Sequence, residues 1–188
     1  MPKNAKTKLK KKVQPKKPNG KSLKEQLEEI SKLDDWTDGD WGHWSLAAGV
    51  SSPAVLPLGF VYRITEIESG RSYIGQKKIT TIETRPPLKG YIRKRKFIKQ
   101  TDWRTYCGSS TEVKLAVVKK GEKAFKFEIL CFTDSKWMLS YLELWFQMKE
   151  GVMFDDNSFN GIVNVRLSKF ASMKEKWEKF KAEYPWYF

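Results

Sequence analysis

Residues 59–67, GFVYRITEI, alternate in side-chain character, with Phe60, Tyr62 and Ile64 on one face and Val61, Thr65 and Ile67 on the other. A period of two predicts a β-strand. Glu68-Ser69-Gly70-Arg71 supplies turn residues, and Ser72 to Lys77 returns as a second strand, so the pair reads as a hairpin. AFKFEILCF (124–132) alternates in the same way and predicts a third strand. Between and around the strands the period changes to that of a helix. Ser22 with Glu25 forms a capping box ahead of Leu23, Leu27, Ile30 and Leu33. Ser109-Ser110-Thr111-Glu112 repeats that signal before Val113, Leu115, Ala116 and Val117, and Lys119-Lys120-Gly121 closes the helix. Asp134-Ser135 caps KWMLSYLELWFQMK, which stops at Gly151. FDDNSFNGIVNVRL reads as a loop ending in a short strand. A last helix follows Ser168, with Phe170, Met173, Trp177 and Phe180 on one stripe and lysines opposite.

The order is two strands, a long polar segment (76–106), helix, strand, helix, short strand, helix. It predicts a small α+β domain: a mainly antiparallel three-stranded sheet flanked by helices, with a basic insert after the second strand. The organisation expected is a disordered Lys-rich arm (1–24), a short helix and linker (25–58), the domain proper (59–167) and a C-terminal amphipathic helix (168–188). Trp36, Trp41 and Trp44 of the linker are expected to pack on the domain, and the acidic stretch 25–40 to fold back on a basic surface.

Composition narrows the function. At 188 residues, 40% hydrophobic with eight Trp, the chain can bury a core. A single His excludes His-rich metal sites and HNH-type nuclease motifs. Cys107 and Cys131 lack metal-ligand spacing and read as free thiols in a reducing, cytoplasmic compartment. No apolar run approaches the length of a membrane span. The net charge of +14 points to a polyanion. Ten lysines in residues 1–24, including Lys10, Lys11 and Lys12, leave only +4 for the rest. The domain must therefore be judged on local clusters.

Three such features stand out. Glu143 is the one charged residue between Lys136 and Lys149, with Leu139 and Phe146 as helical neighbours. A carboxylate held against apolar surface needs a cationic side chain or a divalent cation. The segment from Arg71 to Arg104 carries eleven Lys or Arg against Glu83 and Asp102. Its core, Lys89 and Arg93-Lys94-Arg95-Lys96 with Arg104, interleaved with Tyr91, Phe97, Trp103 and Tyr106, suits a phosphate-tracking surface. In the opening hairpin, Tyr62 and Tyr73 lie close to cations that could draw a phenol toward ionisation. Gly75 with Lys77-Lys78 would let a phosphate approach closely.

Phe60-Val61-Tyr62 followed by Tyr73-Ile74-Gly75 resembles the GIY-YIG nuclease family. Later segments match it in order: the helix after Ser109, the strand AFKFEIL, Glu143 in LELWF and Phe159-Asn160 in SFNGI. The insert and the YIGQKK continuation resemble small members encoded by bacteriophages. The resemblance implies a DNA endonuclease that hydrolyses phosphodiester bonds. Glu143 would hold one Mg²⁺ or Mn²⁺, Tyr62 would serve as general base, Tyr73 would position water or phosphate, and Asn160, or its rival Asn164, would support the site. It also implies an arginine about ten residues beyond YIG. Pro86-Pro87 interrupt that region, leaving Arg95, then Arg93, as first choices beside Arg85 and Arg104, with Lys77 or Lys78 assisting. A monomer acting with loose sequence selectivity is expected. The competing class is a basic nucleic-acid-binding protein without turnover on the same scaffold.

Overall fold

The structure is a computed structural model, and it describes residues 21–33, 40–163, 167–168 and 172–188. Lys10, Lys11, Lys12, Trp36, Asn164 and Phe170 lie outside the described residues. The elements are α1 (Leu23–Leu33), β1 (Ser45–Leu46), β2 (Gly59–Glu66), β3 (Ser72–Lys78), β4 (Thr80–Arg85), β5 (Arg95–Gln100), α2 (Thr111–Lys120), β6 (Phe125–Thr133), α3 (Lys136–Lys149) and α4 (Met173–Glu183). Short 3₁₀ turns cover Trp103–Thr105, Glu122–Ala124 and Pro185–Tyr187.

The expected three-stranded sheet is in fact four-stranded, in the order β1-β6-β2-β3. β6-β2-β3 is the antiparallel sheet the alternation predicts, and β1 adds a parallel strand beside β6. The addition comes from the segment read as a linker. Ser45 Oγ donates to Phe127 O at 2.8 Å, and the Ala47 N–H to Ile129 O at 3.0 Å. A two-residue strand has no period to detect, so only its anchors, the buried Trp41 and Trp44, were visible in the sequence. The polar segment is a second correction. Read only as a basic insert after the second strand, it holds two strands, β4 and β5, that form a separate antiparallel ribbon from Thr80↔Gln100 to Arg85↔Arg95. The short strand expected at the end of 154–167 falls largely on residues 164–166, outside the described residues. Only a bridge between Ser72 and Ser158 runs along β3.

Alternation on β2 and β3 divides the core between two faces. Phe60, Tyr62 and Ile64 point toward Trp44 and Trp103, and both indoles are buried. The Trp44 indole N–H donates to Trp103 O at 2.6 Å, which satisfies its one polar atom inside the core. On the other face Val61 and Ile74 are fully buried beneath α3, whose Leu139, Leu142 and Phe146 complete the core. α4 and the C-terminus then pack on α3 through Trp145, Trp177, Phe180 and Tyr187. α1 lies against the basic strand β5 instead of the main sheet, and Asp40, at the end of the acidic stretch, pairs with Arg104; residues 34–39 lie outside the described residues.

Candidate active site

Tyr62 and Tyr73 converge because of strand register. Tyr62 pairs with Gly75, and Tyr73 lies two residues earlier on the same face of β3, with ring centroids 6.1 Å apart. The β2–β6 register shifts between Val61 and Tyr62, where Leu130 is the extra residue on β6, while the β2–β3 register runs on unbroken. Only glycine fits opposite Tyr62: a Cβ on Gly75 would lie 2.6 Å from Tyr62 Cζ and 2.9 Å from Tyr73 Cε1.

The outer edge of β3 brings the other groups in, at every second residue. Ser72 pairs with the backbone of 157–159, its N–H donating to Asn157 O and its carbonyl accepting from the Phe159 N–H. At Ile74 a side chain takes over. Asn160 Oδ1 accepts from the Ile74 N–H and Asn160 Nδ2 donates to the Ile74 carbonyl, each at 2.8 Å. Gln147 adds a bond to that carbonyl at 3.2 Å. At Gln76 the partner is Glu143: the Gln76 amide donates to Glu143 Oε2 at 2.9 Å and also reaches Ser140 at 3.4 Å. Glu143 thus sits one residue along from the glycine on which the tyrosines converge, on the turn of α3 that faces the edge.

Burial sets the electrostatics. It holds the Glu143 carboxyl above the usual carboxylate range, and the Gln76 side chain and backbone N–H only partly offset that. Burial likewise drives the Tyr62 phenol well above its ordinary value, with Tyr73, Tyr106 and Glu143 adding to it. Tyr73 is shifted the same way, mainly by burial, against a hydrogen bond to Ser109 Oγ at 2.6 Å. Cations were expected to favour the Tyr62 phenolate, but the shift runs the other way. The adjacent cation, Lys77, is held by Asp102 at 2.6 Å and lies over the Tyr106 ring, 3.6 Å from its centroid. Tyr62 Oη is buried without a hydrogen-bond partner among the described residues. In a native core such a group calls for an explanation.

Tyr62, Tyr73, Glu143, Asn160 and Lys77 therefore come together. The arginines do not. Arg95 begins β5 opposite Arg85, five residue steps, roughly 17 Å, up the ribbon from Thr80. Arg93 lies beyond it with Lys89 and Lys94, all exposed. Arg104 is turned to Asp40 and stacked on Trp103, 4.4 Å from the ring centroid. Lys78 is half-buried at the end of β3. Sequence reasoning missed Tyr106, Ser109 and Gln76. The first two were detectable: Tyr106-Cys107-Gly108 repeats the Tyr-x-Gly spacing of Tyr73-Ile74-Gly75. Gly108 takes φ +92°, where a Cβ would touch the Tyr73 ring at 3.5 Å, and the turn there brings Ser109 to the Tyr73 hydroxyl.

No group of three or more His, Cys, Asp or Glu residues is gathered to hold a metal among the described residues. Glu143 offers a single carboxylate, to which the Gln76 NH₂ donates, with the Ser140 hydroxyl beside that NH₂; one carboxylate fits a hard divalent cation that keeps most of its water. No helix among the described residues is long and apolar enough to cross a membrane.

A family described as "Putative endonuclease segE, GIY-YIG domain" matches residues 51–163, well over half of the chain. No curated protein and no solved structure matches. The matched segment spans the tyrosine hairpin, the ribbon, α2, β6, α3 and the Phe159-Asn160 loop, and so contains every member of the cluster just described. The chain belongs to the GIY-YIG endonuclease family.

Proposed function

We infer that the protein is a metal-dependent DNA endonuclease that hydrolyses a phosphodiester at the Tyr62–Tyr73–Glu143 cluster. The observation carrying this reading is the unpartnered hydroxyl of Tyr62, aimed at a position where only glycine leaves room, with Glu143 close enough to act on both tyrosines. A water or phosphate oxygen would complete it. Glu143 would hold the Mg²⁺ or Mn²⁺, which when bound supplies charge neutralisation at phosphorus and polarises the attacking water.

Each protein group has a role set by its surroundings. Tyr62 would orient the attacking oxygen, and would accept its proton only where bound substrate and cation offset the burial that chiefly opposes phenolate formation, together with the charge of Glu143 that adds to it. Tyr73, steadied by Ser109, would hold water or a phosphate oxygen. Lys77, fixed over Tyr106, would face the developing charge. Asn160 positions rather than reacts: both its polar ends are spent on Ile74, so it fixes the strand that carries Tyr73 and Gly75.

The test is nicking of supercoiled plasmid DNA by the full chain. Cleavage is expected with Mg²⁺ or Mn²⁺ and not in chelator, and its loss is expected in Glu143→Gln with DNA binding kept. Binding without cleavage under any divalent cation would support the non-catalytic reading instead.

A further inference from the structure

The β4–β5 ribbon has features that phosphate attraction alone does not account for. It belongs to neither face of the main sheet, yet starts one residue after β3, so it projects directly from the strand that carries Tyr73. A lone two-stranded ribbon is marginal in water. This one is braced by α1, whose Gln26 accepts from the Ile98 N–H at 2.9 Å and donates to Lys96 O at 3.3 Å, closing the outer edge of β5. At its far end Arg85 and Arg95 stand directly opposite each other, a like-charge cross-strand pair that costs stability. Both guanidiniums are drawn over the ring of Phe97, at 4.9 and 5.6 Å. Lys89, Arg93, Lys94, Lys96 and Lys99 are exposed and make no ion pair among the described residues, whereas Arg63, Arg71, Lys77 and Lys120 on the domain body are all paired. The arm thus carries five exposed cations without an ion pair, while at its end Arg85 is paired with Glu83 and Arg95, opposite it, has no carboxylate partner among the described residues.

We propose that the β4–β5 ribbon, braced by α1, is a reading arm that lies in the major groove of duplex DNA, with Arg93 and Arg95 contacting it beside the cleavage site. This rests on the nuclease reading for its substrate class and narrows that class to B-form duplex. Dimensions agree. Two strands about 4.8 Å apart with their side chains fit a groove about 12 Å wide, and roughly 17 Å of ribbon spans about five base pairs. Other nucleic acids fit poorly. The major groove of an A-form RNA duplex is too narrow to be entered. Single strands need a row of open aromatic faces, and the paired strands of the ribbon offer only Phe97, already covered by two guanidiniums.

The test is binding by the full chain in chelator, so that nothing is cut, to four probes. These are a mixed-sequence 20-base-pair DNA duplex, the same duplex with bulky 5-substituents on every pyrimidine, the plain duplex with a minor-groove-binding drug present, and an RNA duplex of the same sequence. The plain duplex should bind about tenfold or more tighter than the major-groove-filled duplex and the RNA, and the drug should leave binding unchanged. The double variant Arg93→Ala/Arg95→Ala, with folding checked by its melting curve because Arg95 is half-buried against Phe97, should lower the salt slope by about one to two. It should also bind plain and groove-filled duplexes alike. Equal wild-type affinity for plain and filled duplexes, equal affinity for RNA, displacement by the drug, or a double variant that still discriminates would each overturn the proposal. Cleavage with Mg²⁺, measured separately on the plain duplex, decides the nuclease reading alone, so either idea can fail while the other stands.

Discussion

Two consecutive hairpins in this chain use the same device in opposite settings. On β3 and on β5 a side-chain carboxamide stands in for the next strand, pairing with an N–H and a carbonyl at the free edge: Asn160 at Ile74, and Gln26 at Lys96 and Ile98. Around Asn160 everything is buried, and burial is what perturbs the two tyrosines and Glu143. Around Gln26 the surface is open and the cations are solvated. A reactive site needs groups held out of water in an unfavourable protonation state. A polyanion-binding arm needs charge left accessible. Two sheet edges, closed in the same way, would serve chemistry in one place and affinity in the other.

The largest effect should come from the group on which burial and chemistry conflict most. Glu143→Gln keeps the shape and hydrogen bonding of the carboxylate and removes its charge, so cleavage should fall by about 10³-fold or more. Because the folded-state pKa of Glu143 is raised, its contribution to stability is fully present only in acid and is lost as pH rises through that raised value. The Gln variant should therefore be slightly more stable than wild type at neutral pH, by no more than about 1 kcal/mol given the partial access of the carboxylate to water, and no more stable in acid. In the metal-free wild type the same shift should make Mg²⁺ or Mn²⁺ affinity fall off with acid from above the ordinary carboxylate range. A variant that loses both activity and stability at pH 7 would make Glu143 a structural residue.

Tyr62→Phe comes next. Its hydroxyl is desolvated and unpaired, so removing it should leave stability unchanged or raise it by up to about 1 kcal/mol, while cleavage drops by about 10²-fold. Melting curves and single-turnover rates on one preparation separate the two readings. A clear loss of stability would mean that the hydroxyl is satisfied in the core. Third is Asn160→Ala, which orphans the buried Ile74 N–H, leaves the Ile74 carbonyl only its bond from Gln147, and should cost roughly 1–3 kcal/mol. Asp should not rescue it, since a second carboxylate oxygen would face the Ile74 carbonyl where Nδ2 now donates.

Much of this was legible in the sequence, and the limits follow from the physics of each element. The tyrosine hairpin and β6 announced themselves because one face of each is buried, which enforces alternation. The Ser22/Glu25 box forms as read, with Ser22 N–H to Glu25 at 2.5 Å and Glu25 N–H to Ser22 Oγ at 3.2 Å. Ser110 and Ser135 stand at helix starts without a side-chain cap bond, and Ser109 is drawn away to Tyr73. The β4–β5 ribbon was hidden because both its faces carry polar and charged residues, so alternation between faces leaves no apolar period. The protonation of Tyr62 was misjudged because nearby lysines in sequence say nothing about burial or about Asp102 holding Lys77. The arginine implied by the family pattern was sought within the insert, whose fold carries Arg93 and Arg95 away from the tyrosines.

The smallest predicted effect tests the comparison most directly. Gln26→Ala removes the clamp on β5 as Asn160→Ala removes that on β3. The edge at Ile98 is half-exposed, so water can replace much of what is lost, and the cost should stay near 0.5–1.5 kcal/mol. It should also remain local, because α1 and the ribbon touch the main sheet little. Hydrogen exchange should quicken at the Ile98 amide and its ribbon neighbours while the β2–β3 amides keep their protection. In Asn160→Ala the loss of protection should instead extend through β3 into β2. If Gln26→Ala lowered global stability as much as Asn160→Ala, ribbon and sheet would be one cooperative unit. The division between a buried reactive edge and an independent basic arm would then fail.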